Sequence, residues 1–73
     1  MRWHRGEDNF TVFATGRYCT WRIRKHVHDT ETFFILASRP VVCAHTFFRS
    51  QKFGDPNEAR QCAEDFEEML TSS

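Results

Sequence analysis

The chain is short of the features that most enzymes and metal-binding modules depend on. It holds three glycines, Gly6, Gly16 and Gly54, each isolated, so no glycine-rich loop is present to cradle a phosphate. Its three cysteines, Cys19, Cys43 and Cys62, form no Cys-x-x-Cys pair, which removes the spacing of the familiar structural zinc modules. An odd cysteine count with no disulfide framework fits a reducing compartment. No apolar run approaches the roughly 18 residues of a membrane span, and the opening MRWHRGEDN has no apolar stretch of the signal-peptide kind. These features lead us to expect an intracellular protein without a membrane partner. Repeats, low-complexity tracts and linkers are missing as well, so residues 1–73 read as a single small domain. At this length roughly 60% of the unfolded surface is buried on folding, which leaves little room for a large catalytic cleft.

Net charge is missing too, since ten Lys and Arg balance ten Asp and Glu, but the charge is unevenly placed. Residues 1–28 carry six cations and two acids, residues 29–52 three and two, and residues 53–73 one and six. Such an asymmetry bears on partners more than on folding.

What is present is a run of β-forming segments. Turn-forming stretches, GEDN at 6–9, Thr15 with Gly16, HDT at 28–30 and Arg39-Pro40, separate four segments rich in Phe, Val, Ile, Thr, Trp and Tyr. They predict strands over about residues 9–15, 17–27, 31–38 and 41–49. The end of the chain, GDPNEARQCAEDFEEML, predicts a helix over about 56–70. Asp55 suits the N-cap, Pro56 the first helical position and Glu58 the third. Ala59, Cys62, Ala63, Phe66 and Met69 recur at helical spacing, with Leu70 beside them, while Glu64, Asp65, Glu67 and Glu68 fall mostly on the outer face. The predicted fold class is α+β: a four-stranded antiparallel meander with one C-terminal amphipathic helix packed on one face.

A strand period of two places Cys19, Trp21, Ile23 and Val27 on one side of the second strand and Tyr18, Thr20, Arg22, Arg24, His26 and His28 on the other. The solvated face of an amphipathic strand accounts for that second set. The third strand resists so simple a reading, because Phe33, Ile35 and Ala37 alternate with the equally apolar Phe34 and Leu36. Phe47 and Phe48 repeat the difficulty in the fourth. A single helix covers one side of a small sheet, so one phenylalanine of each pair belongs to the helix-free face. Phe33, Phe34, Phe47 and Phe48 are therefore the candidate partner-binding residues. Either the chain itself closes that face, by sheet curl or by the segment around Trp3, or the face is a contact for a second copy or a partner protein.

The chemistry-bearing residues point to binding rather than catalysis. His26 and His28 share a strand face, as do Cys43 and His45, and these are zinc-ligand types, but neither H-x-H nor C-x-H is a structural zinc spacing. Cys43 and His45, two apart on a strand, lie side by side rather than as a directed nucleophile and base. We expect no enzyme, no metal and no cofactor. Nucleic-acid binding has better support, since Tyr18 is interleaved with Arg22, Arg24 and His26, and Arg2, Arg5, Arg17, Arg39 and Arg49 extend the cationic set. The acidic helix and the neutral total weigh against it.

The ending KFGDPNEARQCAEDFEEML, after the strand GRYCTWRIRKH, resembles the short ββββα proteins of phage and mobile-element genomes. It is similar in pattern to the arm-type DNA-binding domains of tyrosine integrases and, in its strands-then-helix order, to the second half of double-stranded RNA-binding domains. Asp55, Asn57 and Glu58 stand where that last family carries lysines. Small phage proteins of this size and architecture include anti-CRISPR inhibitors. The resemblance therefore implies a non-enzymatic inhibitor in the host cytoplasm, acting by surface occlusion of a protein partner such as a host nucleic-acid-targeting complex, with homodimerisation as a further expectation. The alternative is a nucleic-acid-binding module that uses Tyr18, Arg22, Arg24 and His26.

Overall fold

The computed structural model describes residues 1–41 and 48–72, residues 48–50 and 72 by backbone alone. Five strands, β1 (Trp3–Arg5), β2 (Thr11–Thr15), β3 (Cys19–His28), β4 (Glu31–Pro40) and β5 (Phe48–Phe53), precede one helix, α1 (Pro56–Ser72). The strands form one sheet in chain order, each neighbouring pair antiparallel. The antiparallel meander with a C-terminal helix is as expected, with five strands rather than four. The added strand, β1, is only three residues, WHR, too short and polar to register as alternation. Its conformation comes from pairing, with Trp3 opposite Ala14, His4 opposite Phe13 and Arg5 opposite Val12. The last strand also runs further than expected, through Lys52 to Phe53. Residues 42–47 of the expected fourth strand lie outside the described residues.

Local chemistry sets the strand ends. The Phe10 N–H donates to Asp8 Oδ1 at 3.0 Å and the Gly6 N–H to the Thr11 carbonyl at 2.7 Å, a tight turn that delays the start of β2 to Thr11. A two-residue turn, Asp29-Thr30, links β3 and β4, with His28 opposite Glu31. Asp29 takes φ of 56° there, a left-handed conformation that Asp tolerates better than most residues. At the helix start the Asn57 N–H donates to Asp55 Oδ1 at 2.8 Å, the expected N-cap bond.

Trp21, Ile23 and Leu36 from the sheet meet Ala59 and Ala63 from α1, and Trp3, Val12, Cys19, Phe34, Phe53, Cys62 and Phe66 pack around them. The two alanines are fully buried, and their small side chains let the helix lie close on the sheet. Phe66 meets Trp21 edge to face, with ring centroids 5.6 Å apart and an interplanar angle of 73°, a favoured aromatic geometry.

Two helix positions depart from the sequence reading. Met69, expected in the core stripe, is exposed, and Glu67, expected on the acidic outer face, is 8% exposed. At about 100° per residue, the stripe defined by Ala59, Ala63, Phe66 and Leu70 leaves Glu67 about 70° from its centre and Met69 about 90°. Position therefore overrides hydropathy. Glu67 accepts three hydrogen bonds from the β2–β3 hairpin. The Cys19 N–H and Trp21 Nε1–H donate to Oε1, each at 2.9 Å, and the Tyr18 N–H donates to Oε2 at 3.1 Å. Gly16 makes room for this carboxyl group, because a Cβ there would overlap it. Val27 is on the helix side by register but exposed, near the end of β3 beyond the apolar cluster. Trp3 packs on the helix-side cluster, so it does not close the opposite face as one sequence alternative held.

Candidate functional site on the helix-free sheet face

The register assigns the second face strand by strand. Opposing residues in an antiparallel pair share a face, and the pairs Thr11 with Arg24, Phe13 with Arg22, Arg22 with Ala37, Arg24 with Ile35, His26 with Phe33 and Ile35 with Lys52 all lie away from α1. Phe33 and the Arg/His set, read from the sequence as two separate candidate sites, are thus one surface. Phe34 is not part of it: it opposes Lys25 and Phe53 and packs on the helix-side core. Phe48 opposes Ser38 at an irregular register between Leu36 and Ser38. Phe47, Cys43 and His45 lie outside the described residues. Among the described residues no group of three or more His, Cys, Asp or Glu is placed to hold a metal ion. Tyr18 precedes β3 and is exposed, with the Arg17 guanidinium 5.9 Å from its ring centroid.

Phe33 is not a bare ring. His26 stacks on it with centroids 5.3 Å apart and planes within 8°, and Lys52 Nζ lies 4.5 Å from its centroid, within cation–π range. Lys52 also donates to Glu31 Oε1 at 3.2 Å. At described strand positions of this face four cations, Arg22, Arg24, Arg39 and Lys52, stand with one carboxylate, Glu31, and the β1–β2 turn at its edge adds Glu7 and Asp8. On the outer side of α1 lie Glu58, Asp65 and Glu68, all exposed, and Glu64, which pairs with the N-terminal ammonium at 3.6 Å. The neutral chain therefore carries most of its described sheet-face charge as cations and its outer helix charge as carboxylates.

Between the β1–β2 turn and β3 the same face holds a hollow of about 390 Å³ lined by Glu7, Asp8, Thr11, Phe13, Arg22 and Arg24. Thr11 is buried, and Phe13 and Arg22 are half-buried. Asp8 has its carboxyl pKa lowered, chiefly by the Thr11 side-chain hydrogen bond and then by the Phe10 N–H, with Arg24 adding a favourable charge. Sequence reading missed Glu7, Asp8 and Phe13 as members of this site. GEDN read as a turn and Phe13 as an ordinary strand residue, and only the β2–β3 register sets Phe13 opposite Arg22.

On the other side of the molecule α1 presents a second hollow, about 470 Å³, lined by Glu58, Gln61, Cys62, Asp65, Phe66 and Met69. The helix described, α1, is not long and apolar enough to cross a membrane. Compared with protein-family models, curated proteins and solved structures, the chain matches none of them.

Proposed function

We propose that this chain is a non-enzymatic binding protein whose working surface is the helix-free face of the sheet, and that the surface takes single-stranded nucleic acid. The observation that carries this reading is the row of Arg22, Arg24, Arg39 and Lys52 on that face, placed beside Phe13, Phe33 and His26. Arginine and lysine neutralise phosphates, while aromatic rings and guanidinium planes offer surfaces on which unpaired bases stack. The acidic helix, which weighed against nucleic acid in the sequence, lies on the opposite side and faces away from a strand bound there. The test is fluorescence anisotropy with labelled ten-nucleotide DNA. Micromolar or tighter binding at physiological salt is expected, weakened at least tenfold in Arg22→Ala/Arg24→Ala, and no binding in the folded parent protein overturns the reading.

A second reading, occlusion of a protein partner by a phage-type inhibitor similar to anti-CRISPR proteins, is supported by the hollow on α1. There Cys62, Phe66 and Met69 are bordered by Glu58 and Asp65, an apolar patch with an acidic rim that suits a basic protein surface. Capture of a host protein that persists after nuclease treatment and is lost in Met69→Lys supports this second reading over the first.

A further inference from the structure

The hollow beside β3 combines three chemistries in one place. Arg22 and Arg24 supply two guanidinium groups, Phe13 supplies a ring, and Glu7 supplies a carboxylate at the rim of the β1–β2 turn. Its volume of about 390 Å³ is within the range of small-ligand sites, about 300–1,000 Å³. Gly6 brings the turn and the ring together, because a Cβ at Gly6 would come within 2.9 Å of Phe13 Cε2. Both carboxylates are exposed, and Asp8 is already engaged, with Oδ1 accepting from the Phe10 N–H and its carboxyl bonded to the Thr11 side chain. We propose that this hollow is a guanine subsite for one nucleotide of a bound single strand. Glu7 accepts from the base, Phe13 forms the wall against which the base lies, and Arg22 and Arg24 hold the adjoining phosphate. The inference rests on the reading of this face as a single-strand surface.

Guanine is selected by donor arrangement. A carboxylate is an acceptor-only group with two parallel oxygens. The Watson–Crick edge of guanine presents two adjacent donors, N1–H and the 2-amino group. Adenine and cytosine present one donor beside an acceptor, and thymine presents one donor between two acceptors, so each sets a carbonyl or ring-nitrogen lone pair against the carboxylate. The guanidinium groups act on the phosphate and are indifferent to the base.

Anisotropy titrations with three labelled ten-nucleotide DNAs, all thymine, alternating thymine–guanine and alternating thymine–inosine, test the assignment, because inosine lacks the 2-amino group. The parent protein is expected to bind the guanine-containing strand about tenfold more tightly than the all-thymine strand, with inosine losing most of that preference. In Glu7→Gln the guanine-to-thymine affinity ratio is expected to fall to about one. Equal binding of all three strands, with the ratio unmoved by Glu7→Gln, overturns the guanine subsite while the single-strand reading stands. No binding of any strand overturns both. Displacement of the labelled strand by free guanosine monophosphate at the same concentration as by unlabelled oligonucleotide overturns the assignment to a strand and makes the hollow a mononucleotide pocket.

Discussion

Glu67 ties the last element of the chain to an early hairpin through two backbone amides and one indole N–H. Because Trp21 is 4% exposed, removing the carboxyl group leaves its N–H without that acceptor in a buried site, a cost of about 1–3 kcal/mol per stranded donor. Glu67→Ala is therefore expected to lower stability by about 3 kcal/mol in urea unfolding, whereas Glu68→Ala, on the exposed face, should stay within about 0.5 kcal/mol of the parent. Gly16→Ala should destabilise through the same contact, since the added methyl meets the Glu67 carboxyl. The two substitutions share one contact, so the double variant should lose less than the sum of the singles. Additive losses, or a Glu67→Ala protein that unfolds like the parent, would break this account. Trp3 Nε1 offers a contrast, being buried without a hydrogen-bond partner among the described residues, so the two tryptophans sit in similar apolar surroundings with opposite polar accounts.

At the scale of elements, α1 is held by a narrow stripe rather than by all its apolar residues. Phe66 is half-buried against Trp21, so Phe66→Ala should cost less than the full-burial range, about 2 kcal/mol. Met69→Ala should cost no more than about 0.5 kcal/mol, because Met69 is 59% exposed. Comparable losses at the two positions in thermal or urea unfolding would show the helix turned toward its Met69 side. The helix itself was legible in GDPNEAR, since a capping aspartate, a proline and a glutamate act locally and need no tertiary context. The alternation of β3 was legible for the same reason, and it separated Trp21 and Ile23 from Arg22 and Arg24 correctly. Which of Phe33 and Phe34 faces the helix was not legible, because both are apolar and only the cross-strand pairs with His26 and Lys25 decide it. β1 was invisible because three residues carry no period. Glu67 was misread because its hydropathy says surface, while its three donors come from residues 46 to 49 positions away. The candidate site was half legible. Its cations stood in one strand, but Glu7 and Phe13 reach them only through the β1–β2 turn and the β2–β3 register.

For the whole molecule the governing feature is the separation of charge. A neutral protein is not usually read as a nucleic-acid binder, yet a binding face feels the charges it carries more than those on the far side, which salt screens beyond about 8–10 Å. If Arg22, Arg24, Arg39 and Lys52 each neutralise one phosphate of a single strand, the logarithm of the affinity should fall with the logarithm of salt concentration at a slope near −3, at about −0.7 per contact. Each of Arg22→Ala, Arg24→Ala and Lys52→Ala should reduce that slope by about 0.7. A slope near zero, or one unchanged by all three substitutions, would place the phosphates elsewhere. Acidic-to-neutral changes on the outer helix, such as Glu58→Gln with Asp65→Asn, should leave the slope unaltered.

The Glu67 contact also orders events in time. The β2–β3 hairpin can form early, since its pairing is local, but its end keeps two amides and an indole waiting for an acceptor some 46 to 49 residues further along the chain. Closing so long a loop carries an entropic cost before the contact repays it. On the ribosome, then, the sheet emerges with the Trp21 side of its surface uncovered and its hairpin end unsatisfied until the last turns of α1 are released. Folding of the sheet is completed only once α1 has been made, with that helix as the latch.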